Sequence, residues 1–184
     1  MSKERLILLV EDAEEDGFLF MQAVKRAGLG NPVRVVRDGQ EALGYLSGAF
    51  FYADRERFPL PCILMLDLKL PRKSGWEVLE WVRARREFQG MLVVVLTASD
   101  NISDLHNCYR MGANSFLTKP CNAEDLRNLA KAFPEHFGTL PTLKDHLAET
   151  PISKAGGGPP DSTKDETAGI SKFWGASQDE LPSA

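Results

Sequence analysis

The chain has 184 residues, long enough for one domain or for one domain with an appendage. Hydrophobic residues make up 43% of it, enough to bury an ordinary core, and a formal charge of −4 argues against non-specific binding to nucleic acid. Three scattered cysteines (Cys62, Cys108 and Cys121) exclude a disulfide framework and a CxxC metal site, and they fit a reducing, cytoplasmic setting.

The first apolar run, residues 6–10, is too short for a signal-peptide core or a membrane span and reads as a buried strand. An acidic run follows. Glu14, Glu15 and Asp16 suit the start of a helix through its dipole, whereas Glu11 and Asp12 abut the strand end. Phe20, Ala23, Val24 and Ala27 then recur at helical spacing. Residues 33–36 read as a second strand, and Asp38 as the cap of a helix running to Leu46. The connection over residues 47–61 is long, aromatic and proline-rich, which predicts an ordered loop packed on its own rings. A third strand over 62–66 ends at Asp67. Ser74 and Glu77 have capping-box spacing before Val78, Leu79 and Val82, and Trp76 and Trp81 on this helix read as packing residues. Arg83, Arg85 and Arg86 read as a solvated helix face. A fourth strand over 91–96 precedes a helix marked by Leu105, Cys108, Tyr109 and Gly112, with His106 between its core positions. A short strand over 115–117 and a helix marked by Leu126, Leu129, Ala130 and Phe133 complete the series, which Pro134 stops. Five strands alternating with five helices predict a doubly wound α/β fold with one parallel sheet.

Residues 1–132 hold 18 basic and 18 acidic side chains, so the net charge lies wholly in the remainder, which also carries 6 of the 11 prolines. The predicted division is a body over 1–133 and a largely irregular acidic tail over 134–184. Within the tail, residues 142–149 suit one short helix, and Ile170, Phe173 and Trp174 suit either idle solubilising chain or a short anchor. No helix-turn-helix pattern or wide basic surface supports DNA binding.

In doubly wound folds, ligands bind outside the carboxyl ends of the strands. Here those ends carry Glu11, Asp12, Asp67, Thr97 and Lys119. Crowded carboxylates repel one another unless a hard cation joins them, and Mg²⁺ takes one or two carboxylates together with phosphate oxygens. A carboxylate can also attack phosphorus and form an acyl-phosphate. Asp67, ending a buried strand, is the best-placed nucleophile; Glu11 and Asp12 would hold the metal. Lys119 would neutralise one phosphoryl oxygen and Thr97 would hydrogen-bond another.

Four pieces in order carry a family resemblance: Val10-Glu11-Asp12; Leu66-Asp67-Leu68-Lys69-Leu70-Pro71 with Gly75; Leu96-Thr97-Ala98-Ser99; and Gly112-Ala113-Asn114 leading to Thr118-Lys119-Pro120. Together they resemble the receiver domain of two-component response regulators over roughly residues 5–132. The segment Asp38-Gly39-Gln40-Glu41-Ala42-Leu43-Gly44-Tyr45-Leu46 and the aromatic loop are similar to the small, stand-alone regulators paired with phytochromes. The resemblance implies a flavodoxin-like receiver fold and a phosphoacceptor role for Asp67, with a histidine kinase, such as a bacteriophytochrome, as donor. It also implies Mg²⁺ held by Glu11, Asp12, Asp67 and the main-chain carbonyl of Lys69. Thr97 and Phe116 would form a switch that alters affinity for a protein partner, and Lys69 and Ser99 would tune phosphate lifetime. A cis Lys119–Pro120 bond and a homodimer through the fourth helix and fifth strand are further implications.

Departures from the pattern are Cys62 and Ser74 where aspartates are frequent, and Phe116 in place of a common tyrosine. Competing classes remain. An aspartyl-nucleophile phosphohydrolase needs a carboxylate where Lys69 stands, and a cofactor-binding flavodoxin-like or Rossmann protein needs a Gly- or Ser/Thr-rich phosphate loop where Glu11 to Glu15 stand. A non-phosphorylated receiver serving as an interaction scaffold is the third.

Overall fold

Near-continuous Leu, Ile, Val and Met runs suit strands that are covered on both faces. In the computed structural model of the protein, which describes residues 5–98 and 102–138 and only the backbone of 102–105, three such runs form fully buried strands and two mixed segments form half-buried edge strands, five in all. They are β1 (Ile7–Val10), β2 (Val33–Val36), β3 (Ile63–Asp67), β4 (Leu92–Thr97) and β5 (Ser115–Thr118). All pair in parallel in the order β2-β1-β3-β4-β5. Five helices alternate with them: α1 (Glu14–Ala27), α2 (Gly39–Ser47), α3 (Gly75–Arg83), α4 (Ile102–Arg110) and α5 (Ala123–Ala132). The doubly wound α/β fold is therefore present. Ser99 and the expected tail features, the helix over 142–149 and the anchor at Ile170, Phe173 and Trp174, lie outside the described residues.

The pleat sorts the strands into two cores. Leu8, Val10, Leu64, Leu66, Val93 and Val95 pack with Tyr45, Leu46, Val78, Leu79 and Val82 of α2 and α3. Ile7, Leu9, Ile63, Met65, Leu92 and Val94 pack with Phe20 and Val24 of α1 and Leu126 and Leu129 of α5. Truncating any one of these buried leucines to alanine costs about 3 kcal/mol.

Local chemistry sets the helix ends. Asp38 caps α2 through the N–H of Glu41, and Ser74 and Glu77 form the expected capping box on α3. Asn122 accepts the N–H groups of Glu124 and Asp125. α1 has no side-chain cap, and Glu14, Glu15 and Asp16 in its first turn favour its positive end instead.

The 47–61 loop does pack on its own rings. Tyr52 and Phe58 are buried against Tyr45, with centroids 5.0 and 6.1 Å away. Arg55 donates to the carbonyls of Tyr45 and Leu46 at 2.8 Å, closing the end of α2.

Two local expectations need correction. Arg83 is not part of a solvated face: its guanidinium donates to the carbonyls of Gly112, Phe88 and Met91 and to Asn114, fastening α3 to the chain before β4 and β5. Tyr109, placed on the core stripe of α4 by its spacing, is half exposed, because α4 ends at Arg110 and its ring leans on Phe116 instead.

Residues 134–138, placed by the sequence at the start of the tail, lie against the amino ends of the strands. Phe137 is buried in the α1/α5 core. Asn31 donates to the carbonyls of Arg5 and His136 and accepts the N–H of Gly138, and Gly30 donates to the Gly138 carbonyl.

Candidate functional site at the carboxyl ends of the strands

Parallel pairing aligns the strand ends on one rim. Glu11 follows β1, and its N–H donates to Val36 at 3.0 Å. Asp67 closes β3 in register with Leu96, and Thr97 closes β4 in register with Thr118. The N–H of Lys119 donates to the Thr97 carbonyl at 2.8 Å, which brings the lysine back over β4. The Lys119–Pro120 bond is cis.

Lys119 is the hub. Its ammonium lies 2.5 Å from a carboxylate oxygen of Glu11, 2.5 Å from Asp67 and 3.1 Å from Asp16. Glu11 is 2% exposed, and its other oxygen accepts the N–H of Ala13. Asp67 is 8% exposed and accepts the N–H of Lys69 at 2.8 Å. Glu11, Asp12 and Asp67 each present one oxygen within 4.8 Å of the others, with Asp12 exposed. A cleft of about 120 Å³ opens beside Asp67, lined also by Leu68, Lys69, Trp76, Thr97, Ala98 and Lys119.

The charges are strained by burial. Desolvation raises the Glu11 carboxyl above its ordinary value of 4.5 and outweighs the hydrogen bond and charge of Lys119. Burial also works against the Lys119 ammonium, but bonds to Asp67 and Glu11 win and hold it above its ordinary 10.5. It stays a cation at every physiological pH. Cys121, the next residue after Pro120, is pushed up to about 12, first by burial and then by Asp125, which favours its thiol form.

The backbone is held as tightly as the side chains. The N–H of Gly75 donates to Leu68, and a Cβ at Gly75 would lie 2.1 Å from the carbonyl oxygen of Asp67. Only glycine lets α3 start this close to the end of β3.

The structure brings Glu11, Asp12, Asp67, Thr97 and Lys119 to one rim. Lys69 contributes its main chain beside Asp67 while its side chain is exposed. Phe116, on β5, is half-buried against the α2/α3 core, with the ring of Tyr109 6.0 Å away. Asp16 and Trp76 join the site although their residue types suggested a helix start and packing.

Residues 7–131 match the response regulator receiver domain. The chain belongs to that family. Rcp1, a response regulator of Synechocystis, is 36% identical to this receiver domain protein over 139 residues, which cover 76% of this chain and 92% of Rcp1. The Mn²⁺-bound form of Rcp1 superposes with a TM-score of 0.60 at 34% identity, covering 74% of this chain and 99% of that one. The bacteriophytochrome response regulator RtBRR gives a TM-score of 0.62 at 40% identity over 68% of this chain and 75% of its own. A phosphorylated cyanobacterial phytochrome response regulator, RcpA, gives 0.59 at 34% identity over 74% and 97%. Within the family, this receiver resembles the phytochrome-associated response regulators.

The donor set suits a hard divalent cation. Three carboxylates offer oxygens, and no thiolate or imidazole stands among them. No helix among the described residues is long and apolar enough to cross a membrane.

Proposed function

We propose that Asp67 accepts a phosphoryl group from the phosphohistidine of a histidine kinase and that the acyl-phosphate changes the affinity of the protein for a partner. The observation that carries this reading is the Asp67 carboxylate, hydrogen-bonded to the Lys119 ammonium and the Lys69 N–H at the mouth of a cleft large enough for a phosphoryl group. One Asp67 oxygen attacks phosphorus, the bond from phosphorus to the imidazole nitrogen breaks, and the imidazole departs with that electron pair. Lys119 balances the developing oxyanion, and Thr97, one strand away, meets another phosphoryl oxygen.

Glu11, Asp12, Asp67 and the Lys69 carbonyl would hold Mg²⁺. When bound, Mg²⁺ neutralises phosphoryl and carboxylate charge together. Without a second cation, Lys119 alone faces four carboxylates, since Asp12 stands beside the three that it bonds.

The output we assign to Thr97 and Phe116. Movement of Thr97 toward the phosphoryl group leaves room for Phe116 to turn inward, a local charge event that biases a two-state packing. Phe116, half-buried, has core on one side and the Tyr109 ring on the other, which supports two positions. Lacking a hydroxyl, it makes no hydrogen bond in either. Lys69, whose side chain is exposed, and Ser99, each two residues beyond a site residue in the sequence, would govern access of the water that hydrolyses the acyl-phosphate. A phytochrome-type kinase as donor follows from the resemblance to Rcp1, RtBRR and RcpA, and a homodimer through α4 and β5 is the arrangement that the family suggests.

Incubation with acetyl phosphate and Mg²⁺, followed by intact mass, should add one phosphate. The adduct should be absent with EDTA and in Asp67→Asn. An adduct that persists in Asp67→Asn overturns the assignment. Lys69→Ala should alter its decay rate, and unchanged decay removes Lys69 as a modulator.

A further inference from the structure

The loop from β3 to α3 carries Lys69 beside Asp67 and is pinned at both ends. At its far end the fit at Gly75 leaves no space for a side chain. Where α2 begins, a Cβ at Gly39 would lie 2.1 Å from the Lys73 carbonyl oxygen, so the first turn of α2 abuts the loop backbone. Between these points Arg72 has a φ of 63°, a left-handed conformation that glycine and asparagine adopt far more readily than arginine. Its guanidinium pairs with Oδ2 of Asp38, whose side chain is 2% exposed. The other oxygen of Asp38 accepts the Glu41 N–H at 2.8 Å. The first turn of α2 is itself anchored, because Glu41 accepts the Tyr52 hydroxyl and the Arg37 N–H at 2.8 and 2.7 Å.

We propose that Arg72 is a positioning residue for the phosphoacceptor site: its ion pair with Asp38 latches the loop onto α2 and so holds the Lys69 backbone against Asp67. The inference rests on the reading of Asp67 as phosphoacceptor. The path is short. The Lys69 N–H that donates to Asp67 lies three residues before Arg72, and the intervening Leu70 and Pro71 give a stiff link. A buried carboxylate demands a second partner, and a strained arginine backbone is tolerated where its side chain supplies one. Arg72 contacts no reacting group; it acts through the loop.

The sign of the metal response separates this role from a simple charge effect. Removing a cation near an anionic site strengthens binding of another cation by Coulomb's law. Loss of the latch loosens the carbonyl and carboxylate that would hold the metal, and weakens it.

The experiment titrates Mg²⁺ into wild type, Arg72→Ala and Arg72→Lys, followed by tryptophan fluorescence, since Trp76 lines the cleft with Asp67 and Lys69. Acetyl-phosphate adduct is measured at each Mg²⁺ concentration, and thermal unfolding is recorded alongside. Arg72→Ala should raise the Mg²⁺ half-saturation by about tenfold, the low end for losing a group that orients metal ligands. The maximal adduct at saturating Mg²⁺ should stay near wild type, whereas the unfolding temperature should fall, because Asp38, 2% exposed, loses its cation. Arg72→Lys should recover most of the affinity, since a single contact to Asp38 must be replaced. Unchanged or tighter Mg²⁺ binding by Arg72→Ala, with wild type labelled normally, overturns the latch alone. A wild type that takes no phosphate at any Mg²⁺ concentration overturns the phosphoacceptor reading, and the latch with it.

Discussion

The two ends of the central sheet solve opposite problems with the same strands. At the amino ends, donors and acceptors are matched: Asn31 meets the Arg5 and His136 carbonyls and the Gly138 N–H, the Arg5 guanidinium donates to the carbonyls of Pro134 and Phe137, and Phe137 fills the space beneath them. At the carboxyl ends, Glu11, Asp16 and Asp67 crowd one ammonium, with Asp12 beside them. Matched donors and acceptors cost little and hold the fold. Crowded like charge opposes folding, and burial of Glu11 makes it worse. A protein keeps such an arrangement where a site needs it, so the imbalance itself marks the functional end.

Lys119→Met should sharpen the contrast most. It leaves the nearly inaccessible Glu11 carboxylate without its cation and should lower stability by about 3 kcal/mol near neutral pH. A carboxyl raised above its ordinary value stabilises the folded state when protonated, and that contribution is lost as pH rises through the raised value. The deficit of this variant should therefore shrink as pH falls toward 4.5. Urea melts across that range check the sign, and a deficit that grows in acid contradicts it.

Gly75→Ala should come next. The added methyl must displace the Asp67 carbonyl, and a misplacement of this kind should slow phosphorylation by about a hundredfold. Phosphorylation by acetyl phosphate at wild-type rate would show that α3 can retreat without moving Asp67.

Asn31→Ala attacks the other end. Three hydrogen bonds are lost, for about 2 kcal/mol of stability. The rate of phosphate uptake should not change. A matching loss of uptake would mean that the two ends are coupled and that the contrast is wrong.

The smallest effect belongs to Glu77, whose bonds to the Ser74 N–H, Lys73 and the Ser74 hydroxyl hold its carboxyl down at about 2. A depressed carboxyl stabilises the fold above its ordinary value, and the gain is lost as pH falls toward the lowered one. The advantage of wild type over Glu77→Gln should be full above pH 4.5 and fade toward pH 2, as followed by thermal melts.

Much of this was legible in the sequence, for physical reasons. Doubly covered strands write themselves as continuous apolar runs, and parallel pairing then brings every strand end to one rim. Glu11, Asp67, Thr97 and Lys119 could thus be placed together from strand ends alone. What stayed hidden were contacts between residues remote in the chain with no periodic signature. Arg83 looks like any solvated arginine until the Gly112 carbonyl is seen against it. Asp38 announced itself as the cap of α2, yet nothing in the sequence linked its other oxygen to Arg72. Asn31 and Phe137 lie in segments of mixed polarity, where no pattern says which side chain turns inward.

The account stands or falls on where phosphate is held. Borohydride reduces an aspartyl phosphate to homoserine, so reduction after labelling with acetyl phosphate and Mg²⁺, followed by peptide sequencing, locates the acceptor directly. The account predicts homoserine at position 67 and at no other aspartate. Homoserine at Asp12 or Asp16, or unmodified Asp67 in protein that carries phosphate, would contradict it.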